Sequence, residues 1–226
     1  MSEEVQALPI FPLDVVLSPG MLLPLRIFED RYRLMISECL AGQRQFGVLM
    51  ATSGYGGERT TQVSTVGTSA RITHVQHLEN GHMDIVTVGQ ERFRLLQILH
   101  TEPYLVGRIE IYPLEDADSP QVRNLVTKAT ASFVRYLRLA GEVLGTSVEI
   151  ASSPHDRTSL AYLMAMSLQI PLHEKQSLLE ASNVPALLNK ELLILSREEI
   201  LLNLMRQAQE KNTGYIRGVS LDLSLS

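Results

Sequence analysis

The sequence changes character near Pro113, and this change constrains the fold more than any other feature. Before Pro113, short apolar runs are separated by prolines, glycines and other turn residues. After it, long segments carry apolar residues at the 3.6-residue period of a helix. Strand patterns followed by helix patterns are typical of an α+β protein. We therefore predict a β subdomain over residues 1–115, a helical subdomain over 116–211 and a tail over 212–226.

The first half predicts a small β-barrel or a strongly bent sheet that carries one helix. Prolines interrupt the apolar runs at 8–13 and 21–28. Because proline cannot donate a ladder hydrogen bond, we expect edge or bulged strands there. A helix is predicted from about Tyr32, since apolar residues recur at helical spacing as far as Leu40. Further strands are predicted at 46–50, 67–78, 82–88, 92–98 and 105–112.

The Asn80-Gly81 pair predicts a hairpin with a two-residue loop. In that register His77 faces Asp84 and Glu79 faces His82, so all four side chains share one face of the sheet. Such a set can be interpreted as a weak metal or pH-sensing site, or as a solvated group of opposite charges. Because a tight hairpin tip is normally exposed and polar, we favour the second interpretation and expect no metal.

The second half predicts four helices with short connections. Ser119-Pro120 is a typical helix start, and an apolar stripe then runs to Leu144. Further helices are predicted at about 153–168, 171–181 and 184–209, and short connections favour an antiparallel bundle. The tail alternates apolar and polar residues from Val219 to Leu225, which would suit a strand if a sheet edge were available.

Catalytic signatures are missing from the sequence. It contains no GxxxxGK[ST], HExxH or GxSxG motif, and its single cysteine, Cys39, lies on the apolar stripe of its helix, where we expect burial. One cysteine also excludes a disulfide framework. We therefore predict a protein without enzymatic activity or cofactor, which acts by binding something.

Charge and hydropathy narrow the choice of partner. The net charge is -5, and residues 1–115 hold 13 acidic residues against 9 arginines. This balance lacks the basic excess that drives binding to nucleic acid, so we expect no nucleic-acid partner. No apolar run approaches the roughly 20 residues that span a bilayer. The first residues lack a signal-peptide pattern, so we expect no membrane partner and a cytoplasmic location.

An ordered series of short motifs resembles the N-terminal, substrate-binding domain of Lon proteases. The opening, from Leu8-Pro9-Ile10-Phe11-Pro12-Leu13 through Pro19-Gly20 to Leu23-Pro24-Leu25-Arg26-Ile27-Phe28-Glu29 and Arg31-Tyr32, carries most of it. The series continues in order over most of residues 7–205. Its later members are Phe46-Gly47-Val48, Val66-Gly67-Thr68, Asn80-Gly81-His82, Gly89, Arg92-Phe93-Arg94 and the segment 174–180.

This resemblance implies a six-stranded, PUA-like β pseudo-barrel followed by a helical bundle. In Lon proteases the module helps to recognise unfolded or tagged substrates and contributes to assembly of the hexamer. A full Lon protease continues into an ATPase module and a Ser-Lys peptidase domain, and the sequence reaches Ser226 without either. We therefore expect a free-standing domain that hydrolyses neither ATP nor peptide bonds on its own.

The function predicted from these observations is non-catalytic binding of unfolded or exposed apolar polypeptide segments. An exposed apolar groove, on the barrel or between the two halves, would hold the client, and a protease or an ATPase is a further expected partner. The alternatives are RNA binding, as in other PUA-like barrels, and a role in assembly without client binding. The sequence leaves the oligomeric state open.

Six residues are candidates for the binding site. Tyr55 lies in a glycine-rich loop, where an exposed aromatic side chain suits adaptable contact. The others come from the motifs, and we expect most motif residues to be structural, with Arg26, Arg31 and Arg92 pairing with Glu29 and Glu91. The motif candidates are Arg26, Glu29, Tyr32, Arg92 and Phe93.

Overall fold

In the computed structural model, seven strands precede a group of four helices, and one further helix lies between strands. The structure describes residues 5–52, 62–146, 154 and 156–218, with side chains up to residue 210. Tyr55 and the tail from Val219 lie outside the described residues. The elements are β1 Val5–Leu13, β2 Leu22–Ile27, α1 Asp30–Ala41, β3 Gln45–Thr52, β4 Gln62–Val63, β5 Val66–His77, β6 Met83–His100, β7 Leu105–Ile111, α2 Pro120–Leu144, α3 Arg157–Ser167, α4 Leu172–Leu179 and α5 Val184–Gly218.

The strands form one strongly bent sheet in the order β1-β7-β6-β5-β3-β4, and a parallel pairing of β1 with β3 closes it. The other pairings are antiparallel, and β2 pairs with the first half of β6. The predicted α+β class is confirmed. The described residues form seven strands, whereas the resemblance implies six, and the two-residue β4, paired with the end of β3, is a strand that the sequence does not predict.

The prolines lie where the sheet is paired on one side. Pro24 is in β2, whose partner among the described strands is β6. Pro9 is in the part of β1 that pairs with β7, and Pro12 is in the part that pairs with β3. A residue without an N–H costs no ladder bond at such an edge, as the sequence predicts.

β6 is one 18-residue strand, whereas the sequence predicts two. Gly89, which lies between the two predicted strands, is inside β6 and allows the loop after β1 to approach closely. A Cβ at Gly89 would lie 2.3 Å from the carbonyl oxygen of Ser18. The glycine therefore makes room for backbone and does not end the strand.

The hairpin between β5 and β6 differs by one residue from the predicted register. His77 lies opposite Met83 and Gln76 opposite Asp84. The Leu78 N–H donates to the His82 carbonyl at 2.9 Å, and Gly81 has a φ of 76°. This is a three-residue loop that ends in a left-handed glycine, with Glu79 inside it. The predicted two-residue loop is therefore wrong, as are the predicted facing of His77 with Asp84 and of Glu79 with His82.

α1 covers one side of the barrel core. Its buried residues recur at helical spacing, and the Tyr32 ring stacks on Phe11 with centroids 4.0 Å apart. Cys39 is buried as predicted, and burial raises the pKa of its thiol to about 11. It is therefore a packing residue and a poor nucleophile at neutral pH.

The helical half is not the predicted antiparallel bundle, because its two long helices run parallel. Arg135 of α2 donates to Glu199 of α5 at 3.3 Å, and Glu142 further along α2 accepts from Arg206 further along α5. α4 runs antiparallel to α5, since Ser177 accepts from Lys190 and Glu174 from Arg197. α2 and α5 start close together, because the Val184 N–H at the start of α5 donates to the carbonyl of Glu115, shortly before α2.

Arg92 joins the two halves. It is only 2% exposed, and its guanidinium donates to the carbonyls of Leu179 at 2.6 Å, Ala181 at 2.7 Å and Pro113 at 3.0 Å. The guanidinium also lies 4.6 Å from the centre of the Tyr112 ring. The sequence predicts a carboxylate partner for Arg92, but its partners in the structure are backbone carbonyls at the end of α4 and before the start of α2.

We expect Arg92→Met to lower the free energy of unfolding by about 3 kcal/mol or more, because each buried acceptor left without a donor costs about 1–3 kcal/mol. Arg94→Met is the matched control. Arg94 stacks on the same Tyr112 ring at 4.2 Å, but its side chain is 44% exposed, so its removal should cost less than about 1 kcal/mol. Urea unfolding of the three proteins measures both changes, and equal losses would contradict a special role for Arg92.

Glu191 is a buried carboxyl group in the helical core. It is fully buried on α5, and neither of its oxygens has a hydrogen-bond partner in the described part of the chain. Burial raises its pKa well above the usual range, and the nearby backbone of Ala165 offsets only part of this effect. The side chain is therefore protonated in the folded protein at pH values where an exposed glutamate is ionised.

We expect the free energy of unfolding to fall as pH rises above about 4.3, the ordinary glutamate pKa, because the unfolded chain then loses a proton that folded Glu191 keeps. Glu191→Gln should remove this dependence. Its stability relative to the parent should rise with pH at up to about 1.4 kcal/mol per pH unit. Urea unfolding between pH 4 and 7 measures the difference, with the exposed Glu210→Gln as control. Parallel profiles for the parent and Glu191→Gln would rule out a raised pKa.

Candidate functional site

The outer face of three adjacent strands, β2, β6 and β5, forms a shallow groove of about 520 Å³. The register places Pro24 of β2 opposite Val86 of β6, and Arg26 opposite Asp84. On the other side of β6, His74 and Gln76 of β5 lie opposite the same two residues. We call this surface the β2–β6–β5 groove. Its lining residues are Pro24, Leu25, Arg26, His74, Gln76, Asp84, Ile85 and Val86.

Strand alternation explains why this face is open. Leu23 and Ile27 of β2 point into the barrel core, so Leu22, Pro24 and Arg26 point outward. Leu22 is 63% exposed, and Phe28 just beyond the strand is 58% exposed. The face therefore offers apolar surface that the fold itself does not bury.

A bidentate ion pair crosses the groove. Arg26 donates through Nε to Asp84 Oδ1 and through Nη2 to Oδ2, both at 2.8 Å. These hydrogen bonds hold the pKa of the Asp84 carboxyl below its usual range and raise that of Arg26. The side chains are 66% and 36% exposed, so solvent screens the pair and its contribution to stability is small. Its effect is to orient the two side chains.

Three polar side chains on the β5 side of the face have no partner. Arg71, His74 and Gln76 are exposed and make no hydrogen bond or ion pair with any described residue. Arg71 lies opposite Val88 and His74 opposite Val86. The groove thus combines an apolar floor with polar groups that are free to contact a ligand.

The structure separates the predicted site residues. Arg26 lines the groove, whereas Tyr32, Arg92 and Phe93 are buried in the core or at the junction. Glu29 is exposed at the start of α1. Tyr55 lies outside the described residues.

The predicted ion pairs are found in part. Arg31 donates to Glu29 at 2.9 Å, as expected. Arg26, however, pairs with Asp84 and not with Glu29 or Glu91. The three motif arginines therefore have three different environments, and only that of Arg26 belongs to the groove.

Sequence reasoning missed most of the groove residues. The alternation in β2 indicates that Pro24 points away from the core, and the hairpin pattern contains His74, Gln76, Asp84 and Val86. The sequence pattern does not show that β2 pairs with β6, because this pairing joins segments about 60 residues apart. Without that pairing, the two halves of the groove cannot be assigned to one surface.

Other kinds of site find no support in the described residues. In this part of the chain, no three His, Cys, Asp or Glu side chains converge as metal ligands would. Among the described helices, none combines the length and apolarity needed to cross a bilayer.

Two solved structures share this fold. A Lon N-terminal domain protein from Xanthomonas campestris superposes with a TM-score of 0.57 at 24% identity, covering 79% of this chain and 92% of its own. The N-terminal domain of a Lon protease from the Mycobacterium avium complex gives a TM-score of 0.59 at 20% identity, covering 86% of this chain and 98% of its own. At these identities the likeness shows the fold alone.

Sequence relatives are Lon proteases. The Lon protease of Roseiflexus castenholzii is 30% identical over 207 residues, which are 91% of this chain and 26% of that protein. Lon protease 2 of Herpetosiphon aurantiacus is 28% identical over 90% of this chain and 25% of its own length. The chain spans about a quarter of the length of these curated relatives. The family model described as the ATP-dependent protease La (LON) substrate-binding domain matches residues 7–197, and the chain belongs to this family.

Proposed function

We propose that this protein is a non-catalytic polypeptide-binding module and that the β2–β6–β5 groove holds extended apolar segments of unfolded clients. The observation that carries the proposal is an open, three-stranded face with an apolar floor and unpartnered polar groups at its rim. The family supports a substrate-binding role, and the groove is the surface that we assign to it. The client would be held without chemical change, because the proposal involves no reacting group.

The groove suits an extended client for a geometric reason. Its floor is formed by the side chains of adjacent strands, which repeat every two residues. A client in extended conformation also presents side chains at a two-residue period, so alternate apolar residues can contact Leu22, Pro24 and Val86 in turn. The groove is shallow and open, and binding also orders the client, so we expect weak, reversible affinity.

The proposal also states which part of the chain binds the client and which activity receives the bound polypeptide. We propose that residues 1–115 form the client-binding subdomain and that 116–211 form a helical subdomain anchored to it through Arg92. An ATPase or a protease would receive the bound polypeptide. The relatives from Roseiflexus and Herpetosiphon are named as proteases, and delivery to such an activity is part of the proposal for this chain.

We expect a fluorescently labelled, permanently unfolded polypeptide to bind with a saturable change in anisotropy at physiological salt. Leu22→Asp and Val86→Asp should each weaken binding about tenfold or more, because they place a charge on the apolar floor. Leu193→Asp is the matched control, since Leu193 is 75% exposed on α5, away from the groove. Circular dichroism of each variant checks that the fold is kept.

Two results would contradict this proposal. Absence of binding at hundreds of micromolar protein would show that the protein does not recognise unfolded clients. Equal losses of affinity in all three variants would show that the client does not bind in the groove. A labelled RNA measured in parallel tests the alternative of nucleic-acid binding. That alternative requires affinity that falls steeply between 50 and 200 mM salt.

An assembly role is the second candidate, because α5 carries an apolar face that the described structure leaves uncovered. This face would pair with a second copy of the chain, and Leu144 at the end of α2 extends it. Its members on α5 are Leu193, Ile200, Leu201, Leu204 and Met205, which are between 46% and 75% exposed.

Sedimentation velocity between about 1 and 100 µM would detect this self-association as a mass that increases with concentration. Leu204→Asp should return the protein to the monomer mass without changing client binding, because Leu204 lies outside the groove. A monomer mass at every concentration would show that this face does not mediate assembly.

A further inference from the structure

We propose that the β2–β6–β5 groove prefers client segments that carry an acidic side chain among apolar ones, and that Arg71 recognises the acid. This inference rests on the function proposed above. It adds a substrate class and a specificity-determining residue, and it follows from how the charges on this face are paired.

The only acidic side chain that lines the groove is already engaged. Asp84 accepts two hydrogen bonds from Arg26, which satisfies both charges. Arg71, by contrast, is exposed and has no carboxylate or carbonyl partner in the described part of the chain. Arg71 lies beside the lining residues, opposite Val88, so this side of the face presents an unpaired full positive charge, whereas the described lining residues include no unpaired negative one.

The register places this charge at the end of an apolar row. Leu22 of β2 lies opposite Val88 of β6, and Val88 lies opposite Arg71 of β5. The neighbouring row runs in the same way from Pro24 through Val86 to His74. A client segment that lies along β6 therefore has apolar side chains on its β2 side and a cationic or polar side chain on its β5 side.

The next strand does not supply a counter-charge. Gln45 of β3, which is neutral, lies opposite Arg71. Arg44 beside it donates through Nε to the Ile72 carbonyl at 3.4 Å and forms no ion pair with a described residue. The β5 side of the groove thus combines Arg71 with a second arginine, which complements an acidic side chain and repels a basic one.

The test uses three fluorescein-labelled peptides of alternating leucine and serine that differ at one central position: aspartate, asparagine or lysine. The parent protein should bind the Asp peptide about 2–5-fold more tightly than the Asn peptide, the range for one solvent-exposed ion pair, and the Lys peptide more weakly. The preference should shrink at roughly 0.5 M salt, because screening acts on exposed charges. Arg71→Gln should abolish the preference, because the variant lacks the charge that distinguishes the three peptides.

Arg108→Gln is the matched control, because Arg108 is also an exposed strand arginine without a described partner but lies on β7, opposite Ala7. It should keep the preference for the Asp peptide. Equal affinity of the parent for all three peptides would overturn the inference and leave the proposed function standing, as would a preference that survives Arg71→Gln. Binding of none of the peptides would count against the proposed function, and the inference would fall with it.

Discussion

The buried guanidinium of Arg92 is the interaction on which the arrangement of this protein depends. A charged group that is 2% exposed and has no carboxylate partner is costly unless its donors are satisfied. Here both terminal nitrogens donate to backbone carbonyls, those of Leu179 at the end of α4, Ala181 just after it and Pro113 before α2, while Nε has no partner among the described residues. Burial lowers the pKa of Arg92, but an arginine keeps its charge at neutral pH, so the barrel cannot separate from the helices without exposing these groups together.

The continuity of β6 links this junction to the groove. Arg92 lies near the middle of the strand, and Asp84 and Val86 lie six to eight residues before it, on the half that pairs with β2 and β5. The junction therefore fixes the position of β6, and the first half of the same strand lines the groove. One strand therefore carries both the junction arginine and groove side chains, because Arg92 and the pair Asp84 and Val86 lie in different segments of β6.

How much could be predicted depends on whether a feature is local. Helical spacing predicts α1 and the burial of Cys39, and the prolines predict edge positions, because each is decided within a few residues. The direction of α5 relative to α2 and the pairing of β2 with β6 are decided by contacts between distant segments, which periodicity does not encode. The hairpin lies between these cases: Asn80-Gly81 predicts the turn, but the left-handed Gly81 sets a three-residue loop and shifts the register by one.

The same distinction explains why most recognisable residues lie outside the groove, although Pro24, Leu25 and Arg26 belong to both sets. Tyr32, Arg92 and Phe93 stand in the motifs that reveal the resemblance, and all three are buried, since packing restricts what a core position can accept. Leu22 and Arg71 are exposed, so packing places few demands on the side chains at these positions. The motifs therefore locate the chain within its family, and they include only one edge of the groove, Pro24 to Arg26. The residues of β5 and β6 join that edge through strand register, which depends on contacts between distant segments and which no motif marks.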